Sequence, residues 1–233
     1  MDSCQYILNS IFPNIKTSDV FSLVQNDEIE TYIIPIMGEP QVGKTSFCTR
    51  FAFDYFNLEI KESLNTESYK KTIEIFNKEI TIVLIDVARN LEDKNMLQEL
   101  CGFIDGAIIM YDITSNKSFN KVDFWINELL QLTKQQKEKK IPVFFVGNKA
   151  DLQFLRAVDK ENVLDKIDSL NYNLDDNDSN QGIYKYESKE VNGIDNNNIQ
   201  DCMKDIIAQI FLMKLSEKEK AKYEKMYSEE IKL

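Results

Sequence analysis

The sequence predicts an α/β domain, a mostly parallel sheet covered by helices on both faces, and three observations carry that expectation. From residue 30 onward, strand-like apolar blocks alternate with helix-like blocks, as they do where parallel strands are joined by crossover helices. The runs Ile80-Thr81-Ile82-Val83-Leu84-Ile85 and Ile141-Pro142-Val143-Phe144-Phe145-Val146 are almost continuously apolar, which suits strands buried on both sides. Between the first strand block and the first helix block stands Gly38-Glu39-Pro40-Gln41-Val42-Gly43-Lys44-Thr45. It reads G-x-x-x-x-G-K-S/T, in the strand, glycine loop, helix order that a phosphate-binding P-loop requires.

Taken in order, residues 1–29 mix small apolar clusters (Tyr6-Ile7-Leu8, Ile11-Phe12) with polar residues and a proline, and read as an N-terminal extension. The domain proper is expected over 30–213. Its strand candidates are 31–37, roughly 69–76, 80–87, 106–112, 141–147 and 183–187, and its helix candidates are 44–56, 91–101, 116–136, 157–169 and 198–226. Asn77-Lys78, between two strand blocks, predicts one hairpin and hence one antiparallel edge. Residues 171–182 and 194–200, rich in Asn and Asp, read as flexible surface loops. From the first of them into the strand candidate that follows, Asp176, Asp178, Asn180, Ile183 and Glu187 fall at positions 1, 3, 5, 8 and 12 of a calcium-loop pattern. Gln181 stands where that loop needs glycine, and a strand rather than a helix follows, so a solvated acidic loop is the preferred reading. Residues 214–233 interleave Lys and Glu and read as a charged, solvent-facing extension of the last helix.

Composition narrows the function classes. A chain of 233 residues, 43% hydrophobic with 7 Gly and 4 Pro, can bury one sizeable core. Its formal charge of −11 argues against a nucleic-acid polymer as partner, since such binding needs a concentrated basic face. Cys4, Cys48, Cys101 and Cys202 are scattered and form no C-x-x-C, so they read as reduced thiols of a cytoplasmic protein. The absence of histidine excludes His-based general bases, Ser-His and Cys-His triads and His-ligated metals. No signal peptide, membrane-spanning run or C-terminal prenylation cysteine is expected, so membrane contact would come through partners or another modification.

The P-loop residues imply a specific division of labour. Backbone N–H groups of Gly38 to Ser46 would surround phosphates at a helix N-terminus, Lys44 would reach the β/γ-phosphates, and Thr45 would ligate Mg²⁺. A kinase, an ATPase or a GTP-binding protein could carry such a loop. Val146-Gly147-Asn148-Lys149-Ala150-Asp151 separates them, because N-K-x-D after an apolar strand can read guanine. The Asp151 carboxylate would accept from the ring N1–H and the exocyclic amine, which adenine does not present in that arrangement. Asn148 would hold the loop and base edge together, and the methylene stem of Lys149 would cover the face of the base. The spacing from the P-loop lysine, 148 − 44 = 104 residues, strengthens the assignment. An ATP-using enzyme is correspondingly disfavoured.

With both motifs in place, the chain resembles the Ras superfamily of small GTPases, and within it the Rab-like branch. Tyr111-Asp112-Ile113-Thr114-Ser115-Asn116-Lys117-Ser118-Phe119 is similar to the Rab Y-D-I-T-x-x-x-S-F, and Phe124-Trp125 falls where the family has a helix aromatic. The resemblance covers roughly residues 30–213 and implies the three-layer P-loop NTPase fold with six strands, bound GTP or GDP with Mg²⁺, and effector and exchange-factor proteins as partners. It implies that Phe56 flanks the guanine, that Asp86 holds Mg²⁺ through water, and that Glu187-Ser188-Lys189 stands for the loop whose N–H contacts the guanine oxygen. The departures fall on the parts that switch and hydrolyse. The family's D-x-x-G-Q is here Asp86-Val87-Ala88-Arg89-Asn90. Arg89 lacks glycine's backbone freedom, and Asn90 is one methylene shorter than the water-orienting glutamine, so hydrolysis through Lys44 and Asn90 is expected to be slow. Arg89 as a built-in arginine finger is the less favoured alternative. Pro40 removes one N–H from the P-loop. Leu64 falls where the switch threonine belongs, and Ser63 or Thr66 would replace it only if the loop shifts. Two readings follow, a nucleotide-dependent switch in trafficking or signalling, and a pseudo-GTPase interaction module of constant surface.

Overall fold

A computed structural model describes residues 30–55, 66–75, 78–88, 103–133, 140–176 and 183–215. Its elements in order are β1 (Glu30–Met37), α1 (Lys44–Phe53), β2 (Glu67–Ile75), β3 (Lys78–Asp86), β4 (Ala107–Asp112), α2 (Asn116–Phe119), α3 (Val122–Thr133), β5 (Ile141–Asn148), a 3-10 helix η1 (Ala150–Leu155), α4 (Lys160–Asp176), β6 (Ile183–Glu190) and α5 (Asn196–Lys214). All six predicted strands form, in one sheet of order β2-β3-β1-β4-β5-β6. β2 is antiparallel to β3, with Ile75 opposite Lys78, and the other neighbours are parallel. The expected hairpin and antiparallel edge are therefore present.

Period-two alternation sorts the core into two layers. Ile33, Met37, Val83, Ile85, Ile109 and Phe145 face one side, where Trp125 and Leu129 of α3 and Val163 and Ile167 of α4 cover them. Ile34, Ile36, Leu84, Ile108 and Phe144 face the other, under Phe47 and Phe51 of α1 and Ile206 and Ile210 of α5. Each fully buried side chain of this size stabilises the fold by about 1.5–3 kcal/mol.

Two prolines lie in central strands, where a missing N–H is normally excluded. Ile33 bonds Asp105 through both its N–H (to Oδ2, 2.9 Å) and its C=O (from N–H, 2.9 Å), so Pro35, two residues on, faces the same side. The regular β1–β4 ladder starts only after it, at Ile36 opposite Ile108. Pro142 coincides with a register shift in which β5 advances from Ile183 to Lys185 of β6 between Ile141 and Pro142.

Several predicted boundaries move. α1 ends at Phe53, where Asp54 adopts a left-handed cap (φ 54°) and returns its N–H to Arg50 O at 3.1 Å. The helix expected over 116–136 divides into α2 and α3, because the Ser118 hydroxyl bonds back to Asp112 and Ser115 and pins the first turn to β4. The largest correction concerns the Asn/Asp-rich stretches expected to be loops. Residues 171–176 are the last turns of α4, and Asn196-Asn197-Asn198 is the first turn of α5. Asn171 explains the first case: its Oδ1 accepts from Tyr186 N at 2.9 Å and its Nδ2 donates to Tyr186 O at 3.0 Å, satisfying the outer edge of β6. In the second case Asn198 Oδ1 accepts from Asn192 N at 2.6 Å and joins α5 to the turn before it. Asp176 closes α4, while Glu187 lies in β6 and bonds Lys185 (2.6 Å) and Gln209 (2.5 Å).

The segments 1–29, 91–101 and 216–233, with Asp178 and Asn180, lie outside the described residues. Cys48 and Cys202 are buried free thiols, and Cys4 and Cys101 are outside. Among the described residues no helix is long and apolar enough to cross a membrane.

Candidate functional site

The carboxyl ends of the parallel strands bring the two sequence motifs together, at the edge where open α/β sheets bind ligands. β1 delivers the glycine loop. Gly38 has φ +152° and Gly43 φ +99°, and a Cβ on either would come within 2.3 Å of Met110 O or Asn148 Nδ2 respectively. Only glycine fits both places. Gln41 is also left-handed, at φ 65°, without glycine's freedom. Val42 is buried and Pro40 and Ser46 are partly exposed. Lys44 folds over the loop, donating from Nζ to Gly38 O at 2.9 Å and Glu39 O at 3.1 Å. The next residue, Thr45, donates from Oγ1 to Asp86 Oδ2 at 2.5 Å. Burial pushes the Asp86 carboxyl above the usual carboxylate range, against the Thr45 hydrogen bond and the Lys44 charge, which pull it down. A hydroxyl and a carboxylate from two elements thus meet beside the lysine.

β5 delivers the second motif. Asn148 is buried; its Nδ2 donates to Val42 O at 2.9 Å and its Oδ1 accepts from Lys149 N at 2.8 Å, so one side chain joins the two loops. Lys149 is left-handed (φ 66°) and its Nζ pairs with Asp112 Oδ2 at 2.5 Å. Asp151 stands exposed in the first turn of η1. Behind η1, Arg156 grips Glu190 through two parallel hydrogen bonds of 2.8 and 2.9 Å, with Lys160 at 3.2 Å.

Not every predicted residue joins this assembly. Ser188 and Lys189, expected in a loop, are inside β6 opposite Phe145 and Val146, and Lys189 Nζ reaches Asp205 at 2.5 Å. The loop beside Asn148 begins only after Glu190. Val191 N donates to Gly147 O at 2.8 Å and Ala150 N to Val191 O at 3.0 Å, which weaves the turn after β6 into the second motif. Arg50 of α1 holds that turn by donating to Ile194 O at 2.6 Å. The sequence signal for it was Asn192-Gly193, a turn dipeptide just ahead of the Asn-rich helix start. Thr66 lies at the entry to β2 with its Oγ1 accepting from Ala88 N at 3.1 Å. Phe56, Ser63, Leu64, Arg89 and Asn90 lie outside the described residues.

A family model described as the Ras family matches residues 33–211, which is most of the chain and contains both motifs. The chain belongs to the Ras family. Within it this Ras-family chain is similar to Rab proteins. It is 27% identical to Ras-related protein RABA1b of Arabidopsis thaliana over 191 residues, 81% of this chain and 79% of that protein. To Ras-related protein Rab-11C of Dictyostelium discoideum it is 36% identical over 135 residues, 58% of either chain. To GTP-binding protein ypt3 of Schizosaccharomyces pombe it is 32% identical over 140 residues, 60% of this chain and 64% of that protein. The last two matches span less than two thirds of the relatives' own length.

Proposed function

We propose that this Rab-like member of the Ras family binds GTP and GDP with Mg²⁺ and acts as a nucleotide-dependent switch in intracellular trafficking or signalling, with weak intrinsic hydrolysis. The observation that carries the reading is the Asn148–Val42 hydrogen bond, which holds the phosphate loop and the N-K-x-D loop as one unit. In it, backbone N–H groups from Gly38 to Ser46 and the Lys44 ammonium take the phosphates, and the exposed Asp151 accepts from the guanine edge. Thr45 and Asp86 would hold Mg²⁺. One hydroxyl and one carboxylate suit a hard cation that keeps its remaining positions for phosphate oxygens and water. When bound, the ion neutralises charge on the phosphate oxygens during phosphoryl transfer. The printed description of ypt3 as a GTP-binding protein supports the same reading. Asn90, shorter than glutamine, orients an attacking water poorly, so turnover is slow. Effectors and exchange factors, reached from the cytoplasm, are the partners this role requires.

A second reading has its own observation. The Thr66 hydroxyl is taken up by Ala88 N–H, which ties the start of β2 to the segment after Asp86 and favours an interaction module of constant surface. Nucleotide content and turnover of the purified protein decide between the two. Bound GDP, with GTP consumed over hours in Mg²⁺, supports the switch. GTP retained unchanged supports the constant module, and neither bound guanine nucleotide nor uptake of it overturns the switch and the binding assignments at Lys44 and Asp151.

A further inference from the structure

The last residue of β4 makes a contact that the phosphate and base motifs do not account for. Asp112 is buried, and its two carboxylate oxygens do different work. Oδ1 accepts from Thr114 N at 2.8 Å and Thr114 Oγ1 at 2.7 Å, which fixes the plane of the carboxylate. The backbone of Asp112 is fixed too, its N–H bonding the Ser118 hydroxyl at 3.0 Å and its place in the ladder being opposite Asn148. Oδ2 is therefore presented in one direction, and Lys149 Nζ meets it at 2.5 Å.

We infer that Asp112 is a positioning residue for guanine-nucleotide binding, holding the Lys149 side chain extended before the base arrives. This rests on the base-reading role proposed above for Lys149 and Asp151. The physical reason is preorganisation. A lysine stem is among the most mobile side chains, and ordering it only when ligand binds weakens affinity by its lost rotamer freedom. With both ends held, the backbone by the Asn148 Oδ1 bond to Lys149 N and the ammonium by Asp112, the methylene wall is already set. Asp112 acts only through Lys149, and that gives the inference a signature which a structural role lacks.

The test is a double-mutant cycle on GDP release, followed with a fluorescent methylanthraniloyl-GDP probe. Asp112→Asn keeps an oxygen for Thr114 and removes the charge that pairs with Lys149. It is expected to speed release roughly three- to tenfold. Lys149→Met retains the stem and loses the ammonium, and in that background Asp112→Asn is expected to add nothing. Thr114→Val removes the hydroxyl bond to Oδ1 and keeps the backbone one, so it loosens the carboxylate without touching its charge; it gives a smaller loss of the same kind and serves if Asp112→Asn does not fold. An Asp112→Asn effect that persists in full beside Lys149→Met, or no effect in the wild-type background, overturns the inference. Failure of the wild type to take up the GDP probe in preference to the ADP analogue instead overturns the base reading itself, and this inference with it.

Discussion

At the scale of single residues, the site is built from backbone conformations that the side chains must tolerate. Gly43 combines a positive φ with a neighbour, Asn148 Nδ2, already within 2.3 Å of where a Cβ would stand. Gly43→Ala therefore adds a left-handed strain of roughly 1–2 kcal/mol and displaces a buried hydrogen bond whose orphaned partner costs roughly 1–3 kcal/mol. Urea unfolding should show a loss of about 2–5 kcal/mol together with loss of GDP binding. Asn90→Gln tests the hydrolytic reading at the same scale. Restoring the missing methylene should raise single-turnover GTP hydrolysis by about ten- to a hundredfold, since misplacing a reacting group by an ångström carries a penalty of that order. An unchanged rate would mean that water orientation by this residue is not what limits turnover.

At the scale of elements, the loops of the site are held by polar ties from neighbouring helices and strands. The Phe51 carbonyl near the end of α1 accepts from both Lys71 of β2 (2.9 Å) and Gln200 of α5 (3.1 Å), while Arg50 reaches the turn after β6. Glu190 makes the strongest such tie. Burial pushes its carboxyl up, but the Arg156 fork and Lys160 outweigh it and hold the pKa below its ordinary 4.5. A carboxylate depressed in the folded state contributes stability that is present above its unfolded pKa and is lost as pH falls through the lower folded value. Glu190→Gln should therefore cost about 2 kcal/mol at neutral pH, the scale of hydrogen bonds to a charged group. The gap to wild type should narrow below about pH 4.5. A constant gap across that range in thermal melts would show that the charge of Glu190 is not the source.

At the scale of the whole molecule, the core meets the site at the carboxyl ends of the strands and through α1, whose Lys44 and Thr45 lie in the site and whose Phe47 and Phe51 lie in the core, so ligand binding and global unfolding should be coupled. The chain's 1 tryptophan, Trp125, is buried against the sheet and packs edge-on to Phe124 at 5.2 Å. Its fluorescence reports unfolding of that layer. GDP with Mg²⁺ at a hundredfold its Kd should raise the melting midpoint by roughly 5–10 °C, and ADP should not. Equal shifts with both nucleotides would remove guanine from the reading.

What the sequence determined by itself were the features that local chemistry dictates. The strands were legible as blocks alternating with helix-like blocks, and the antiparallel edge from the turn signal at Asn77-Lys78, although Lys78 itself opens β3 opposite Ile75. The P-loop was legible from glycines that the structure shows to be sterically obligatory, and Asn148-Lys149-x-Asp151 from its place after a strand. What only the tertiary structure decided were the polar stretches. Asn171 and Asn198 read as loop residues because isolated Asn favours turns, yet each is recruited by a backbone group elsewhere, Tyr186 and Asn192, that would otherwise lack a partner. The same holds for the turn at Asn192-Gly193, displaced from where Ser188-Lys189 suggested it, and for the Asp112–Lys149 pair. Strand register sets both, and a partner 37 residues distant, 149 − 112, leaves no mark on local periodicity.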